Sequence, residues 1–134
     1  MPAQPIAKMG DTITAMDTHI VMVPSPGGPV PTPTPGHPFN GMINGGLSSN
    51  VMIGGMAVAT MNSTAVNQPP HIPIGGPSFQ MPPSNQATIM MGSTTVFVNG
   101  QGVARNGDPA RTCDDISPAP AGTIIAAGTV MAGG

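Results

Sequence analysis

The chain has no tryptophan, tyrosine or glutamate, one leucine (Leu47) and one cysteine (Cys113) among its 134 residues. Each scarcity excludes something. One cysteine closes no internal disulfide, which fits synthesis in a reducing cytoplasm. Three basic residues (Lys8, Arg105, Arg111) cannot neutralise a phosphate backbone, and without tryptophan or tyrosine few rings remain to stack on bases. Nucleic acid is therefore not an expected partner. No apolar run approaches the ~18 residues of a membrane-spanning helix. The start, Met1-Pro2-Ala3-Gln4-Pro5, lacks the basic-then-apolar plan of a signal peptide, so the expectation is a cytoplasmic product with no cleaved leader. With 6% charged residues the chain lacks the means by which disordered segments stay soluble, despite 19 glycines and 18 prolines.

What is present is β-branched: ten valines, eleven isoleucines and thirteen threonines. Strong helix formers are few apart from alanine and methionine, which excludes a helical bundle. The expected fold is all-β: a small domain of short strands and hairpins, rich in proline and glycine loops, with no substantial helix.

The chain also resembles itself. Val51-Met52-Ile53-Gly54-Gly55-Met56-Ala57-Val58-Ala59-Thr60 realigns, 45 positions on, with Val96-Phe97-Val98-Asn99-Gly100-Gln101-Gly102-Val103-Ala104-Arg105. Gly-Gly and Asn-Gly supply the positive φ angles of a type I′ turn, so each copy reads as a hairpin. A third copy is split: Gly128–Gly134 matches the first half of the unit and Pro5–Asp11 the second. If the ends meet, three hairpins surround one axis with pseudo-threefold symmetry and leave no strand edge open.

Two proline-rich stretches, 23–39 and 68–83, are expected to lie as rigid or polyproline loops and not as internal strands, because proline lacks a donor. The twelve methionines, only two of them adjacent, suggest soft core filler. Asp114-Asp115 suit a solvated turn better than acid–base chemistry.

His19, His37, His71 and Cys113 are separated by 18, 34 and 42 residues, which matches no short metal motif. Spacing alone leaves open a set of unrelated polar residues. Context favours metal: His37 and His71 are flanked by prolines, and three imidazoles with one thiolate fill a tetrahedral zinc shell. A filled shell has no place for a reactive water, so the chain is not expected to be an enzyme. A small zinc-dependent hydrolase using the same residues, or a Pro/Gly-rich extracellular structural protein, is the alternative.

Together these features resemble the PAAR-repeat proteins, the spike tips of contractile injection systems such as type VI secretion machines and phage-tail-like particles. Pro5-Ile6-Ala7-Lys8 is similar to the name-giving Pro-Ala-Ala-Arg, and Gly102–Arg105 keeps its last alanine and arginine. The resemblance implies one spike-tip domain over residues 1–134, a small all-β cone with pseudo-threefold symmetry, seated by its base on a homotrimeric VgrG-like spike, one tip chain per trimer. It implies an apex zinc ion, structural and one per chain, held by His19, His37, His71 and Cys113. It further implies a bare tip without a cargo domain, incorporated in an injection particle and delivered outside the cell or into a target cell, whose envelope it helps to pierce. No small-molecule substrate is expected.

Overall fold

The computed structural model describes residues 3–115 and 119–133. Met1, Pro2 and Gly134, which entered the reading of the two ends, lie outside the described residues, as do Ile116–Pro118. Among the described residues there is no helix, and the strands are β1 (Gln4–Pro5), β2 (Thr12–Val23), β3 (Val30–Gly45), β4 (Met52–Ile53), β5 (Met56–Ala57), β6 (Thr64–Asn67), β7 (Ser78–Phe79), β8 (Gln86–Ile89), β9 (Phe97–Val98), β10 (Gln101–Gly102), β11 (Pro109–Thr112), β12 (Ala119–Ile125) and β13 (Met131–Ala132).

Two of the expected hairpins form with the expected turns. β4 pairs with β5 around Gly54 (φ 59°) and Gly55 (φ 83°), and β9 pairs with β10 around Asn99 (φ 53°) and Gly100 (φ 81°). The ends supply the third: Gln4 pairs with Ala132 and Pro5 with Met131. The same amide bond then closes each unit, from Val58 to the Val51 carbonyl (3.1 Å), from Val103 to Val96 (3.0 Å) and from Ile6 to Val130 (2.9 Å).

One residue further along, the three units bond in a ring. The Ala7 amide donates to the Ala104 carbonyl (2.8 Å), Ala104 to Ala59 (3.0 Å) and Ala59 back to Ala7 (2.9 Å). The bridges Ile6–Arg105, Lys8–Val58 and Thr60–Val103 flank this ring at equivalent positions. Alanine suits these three sites because all are fully buried where the backbones converge. Each unit then turns through a positive φ, at Gly10, Asn62 and Gly107, beside an acceptor side chain that takes an amide three residues back. The pairs are Lys8 to Asp11 (3.0 Å), Thr60 to Ser63 (3.0 Å) and Arg105 to Asp108 (2.9 Å).

Past this turn, each unit contributes two antiparallel strands to a wall. The order β12-β11-β8-β6-β3-β2 closes through β12–β2, so six strands surround the axis. Period-2 alternation turns Ile13, Ala65 and Ala110 inside, and each lies directly across from a buried isoleucine of the neighbouring unit, Ile124, Ile43 and Ile89 respectively. Close approach demands glycine at Gly122, where a Cβ would meet Thr112 Cγ2 at 2.9 Å and Ile13 Cγ2 at 3.0 Å. No methionine belongs to the buried core of the described residues, contrary to the filler reading. So narrow an interior takes alanine and isoleucine, and Met16, Met42, Met52, Met91 and Met131 are exposed.

The first unit breaks the symmetry. β2 and β3 run 12 and 16 residues, against 4 to 7 for the other wall strands. The expectation that 23–39 would be loop is corrected here: Val30–Gly45 is a strand. Prolines at 31 and 33 alternate with Thr32 and Thr34, so the missing donors share one edge while the threonine amides face β2. That proline-bearing half of β3 pairs only with β2; β6 pairs with Gly41–Gly45. The second proline stretch is mostly loop, with β7 laid against Val21 and Met22 at the far end of β2.

Candidate metal centre

Going up the axis from the apolar core, the inward positions turn polar: Asn67, Thr112 and Asp17 are all buried. Above them four parts of the chain converge. β2 carries Asp17 and His19 on either side of a register shift, β3 carries His37, the loop after β6 carries His71, and Cys113 follows β11. The segment after Cys113 is held to β2 by its backbone and by two carboxylates. The Asp115 amide donates to the Thr18 carbonyl (2.9 Å), Asp114 Oδ1 accepts the Thr18 amide (2.6 Å) and Asp115 Oδ2 accepts the Ile20 amide (2.8 Å). The paired aspartates are therefore half-buried acceptors for β2, which corrects their reading as a solvated turn.

The three imidazoles pack together, with ring centroids 4.8 Å apart for His19–His71, 5.3 Å for His19–His37 and 5.8 Å for His37–His71. Phe79 of β7 closes the space from above, 5.4 Å from both the His19 and His37 rings. Cys113 Sγ lies 3.7 Å from His19 Nε2. His37 Nδ1 lies 3.1 Å from the Thr34 carbonyl, while its Nε2 is buried without a hydrogen-bond partner. His19 Nδ1 likewise has no partner within hydrogen-bond geometry, the nearest carboxylate being Asp115 at 3.5 Å. A buried orphan nitrogen costs free energy unless something else meets it, and at His37 Nε2 a cation would.

All four sequence-predicted residues thus line one space. Donor atoms of His19, His71 and Cys113 fall within 4.8 Å of one another, and the fourth member of that group is Asp17, not His37. Asp17 Oδ2 is 3.0 Å from His71 Nε2 and 3.5 Å from Cys113 Sγ, and its Oδ1 accepts from the Thr112 hydroxyl. Sequence reasoning missed Asp17. The signal was Asp17-x-His19, two residues apart on the same strand, where side chains share a face.

The electrostatics follow from enclosure. Burial, and then the Asp17 carboxylate, push the Cys113 thiol up to about 12. Burial, and then neighbouring His19, hold His37 below the ordinary imidazole value. A divalent cation would reverse both effects, drawing the proton from the thiol and lone pairs from the rings. Imidazole, thiolate and carboxylate together form a donor set suited to zinc.

The expected place of this centre needs correcting. β2 continues four residues beyond His19 to Val23, about 13 Å at strand rise. There β2 and β3 are still paired, Val23 with Val30, so this hairpin extends past the metal centre.

The architecture is thus a closed six-strand wall on three base hairpins, with a buried His/Cys/Asp cluster above. The PAAR motif family model matches residues 21–115, and the chain belongs to that family. Its members are structural spike tips of contractile injection systems, not enzymes. No curated protein and no solved structure gives a significant match.

Proposed function

We propose that residues 1–134 form one domain that caps a homotrimeric, VgrG-like spike, one chain per trimer, and helps the spike through a target envelope. The observation that carries this is the symmetry of the base. Three identical spike chains meeting one chain pose a mismatch, which three near-equivalent hairpins resolve. Val51, Val96 and Val130 occupy equivalent positions and are exposed, as are Met52, Phe97 and Met131 at 57%, 59% and 50%. An apolar ring of this kind at the end of a closed wall suits burial against a partner.

A zinc ion, one per chain, occupies the space that His19, His37, His71 and Cys113 line. It ties four distant segments together above the apolar core, where too few side chains remain to extend it. The outer end suits passage through lipid. Between Asp17 and Arg105 the chain has no Lys, Arg, Asp or Glu, so the long hairpin past the centre brings no formal charge into hydrocarbon. The tip is carried in an injection particle and leaves the producing cell with it.

Mixing the chain with candidate trimeric spikes and measuring mass is the test. A complex of one tip per three spike chains is expected, and it is expected to disappear when Met52, Phe97 and Met131 are all replaced by aspartate. Binding at another ratio, or unaffected by that triple substitution, would count against the reading.

A further inference from the structure

The geometry points to Asp17 as a direct ligand of the metal, making the centre a mixed carboxylate–thiolate–imidazole site. This rests on the metal reading above and goes beyond it. Four donors around zinc sit at the corners of a tetrahedron whose edges, from ordinary zinc–nitrogen, –oxygen and –sulfur bonds, are about 3.3–3.7 Å. The separations here are 3.0 Å from Asp17 Oδ2 to His71 Nε2, 3.5 Å from Asp17 Oδ2 to Cys113 Sγ and 3.7 Å from Cys113 Sγ to His19 Nε2. Two of these match such edges and the Asp17–His71 separation is a little shorter, so Asp17 Oδ2 stands near a corner, beside the ring nitrogen and the sulfur that an ion would take. His37, whose Nε2 is buried without a partner, stands outside this group of four donors.

Two more observations support the assignment. Asp17 is fully buried, and both groups that meet its Oδ2, the His71 ring nitrogen and the Cys113 sulfur, are themselves metal-binding types. Its other oxygen is fixed by the Thr112 hydroxyl, which aims Oδ2 at the centre as an outer partner aims a metal ligand. Charge balance agrees. A thiolate alone leaves a buried zinc ion one positive charge in excess, and a carboxylate beside it removes the excess. The nearest other carboxylates, Asp114 and Asp115, are engaged with β2 amides.

The test uses the full chain, stripped of metal and titrated with cobalt(II), then with zinc in competition. Wild-type protein is expected to take one equivalent with a thiolate-to-cobalt band. Asp17→Asn is expected to keep that band, alter the visible d–d envelope and raise the zinc dissociation constant at least tenfold. An unaltered envelope and constant would overturn the assignment. Should Asp17→Asn fail to fold, infrared difference spectra of 13C-aspartate-labelled wild type, zinc-loaded minus stripped, decide instead. A shifted carboxylate stretch that persists in Asp115→Asn is expected, and no shift overturns the assignment. Wild-type protein that binds no metal at all overturns the metal reading itself, whereas binding that ignores Asp17 overturns only this inference.

Discussion

Enclosure first, and neighbouring charges second, hold His37 and Cys113 in their neutral forms in the metal-free fold, and that sets the pH range in which the stripped protein is strongest. An unfolded imidazole takes its proton near 6.5, whereas folded His37 resists it, so the unfolded state binds more protons below that pH and stability falls with acid. Cys113 works in the other direction. The unfolded thiol ionises near 9.0 while the folded one waits until about 12, so stability falls again between those values. Denaturant midpoints of the stripped chain are expected to be highest between about pH 6.5 and 9, and midpoints that rise steadily from pH 5 to 11 would contradict this. With zinc present, His71→Ala is expected to lower the melting temperature by about 10 °C or more, and Asp115→Ala by clearly less. Equal losses by calorimetry would argue against His71 as a ligand. Residue type alone made the histidines and the cysteine legible in the sequence. Asp17 was legible only through its spacing of two from His19 on a strand, a weak signal for one aspartate among five until the segment after β11 closes over it.

The turns at Gly54-Gly55 and Asn99-Gly100 were readable because their chemistry is local: few other dipeptides accept two positive φ angles in succession. The long strand β3 was not readable, because the effect of a proline on a sheet depends on which edge lacks a partner, and that is tertiary information. The distinction is testable within a few residues. Pro33→Ala is expected to change stability by no more than about 0.5 kcal/mol, since its amide edge has no strand beside it. Thr32→Pro places the same ring on the edge facing Val21 and is expected to cost several times as much, with loss of the β2–β3 pairing beyond His19. Amide exchange at Ile20–Val23 would report it, and equal tolerance of both substitutions would refute the alternation argument.

For the whole molecule, the repeated segments had already indicated three units around an axis, since a repeat survives in sequence as similarity at a fixed shift. Its unequal arms had not been indicated, because two wall pairs are short and the third is extended by residues that read as loop. The cycle of alanine amides has one more consequence. A cycle has no privileged starting point, and β1 with β13 already does the work of a hairpin whose loop was left uncut in the other two units. A rearranged gene that fuses Gly133 to Gln4 through a short flexible linker and opens the polypeptide between Asn99 and Gly100 should therefore yield the same fold, with two-dimensional amide spectra that nearly superimpose away from the new junctions.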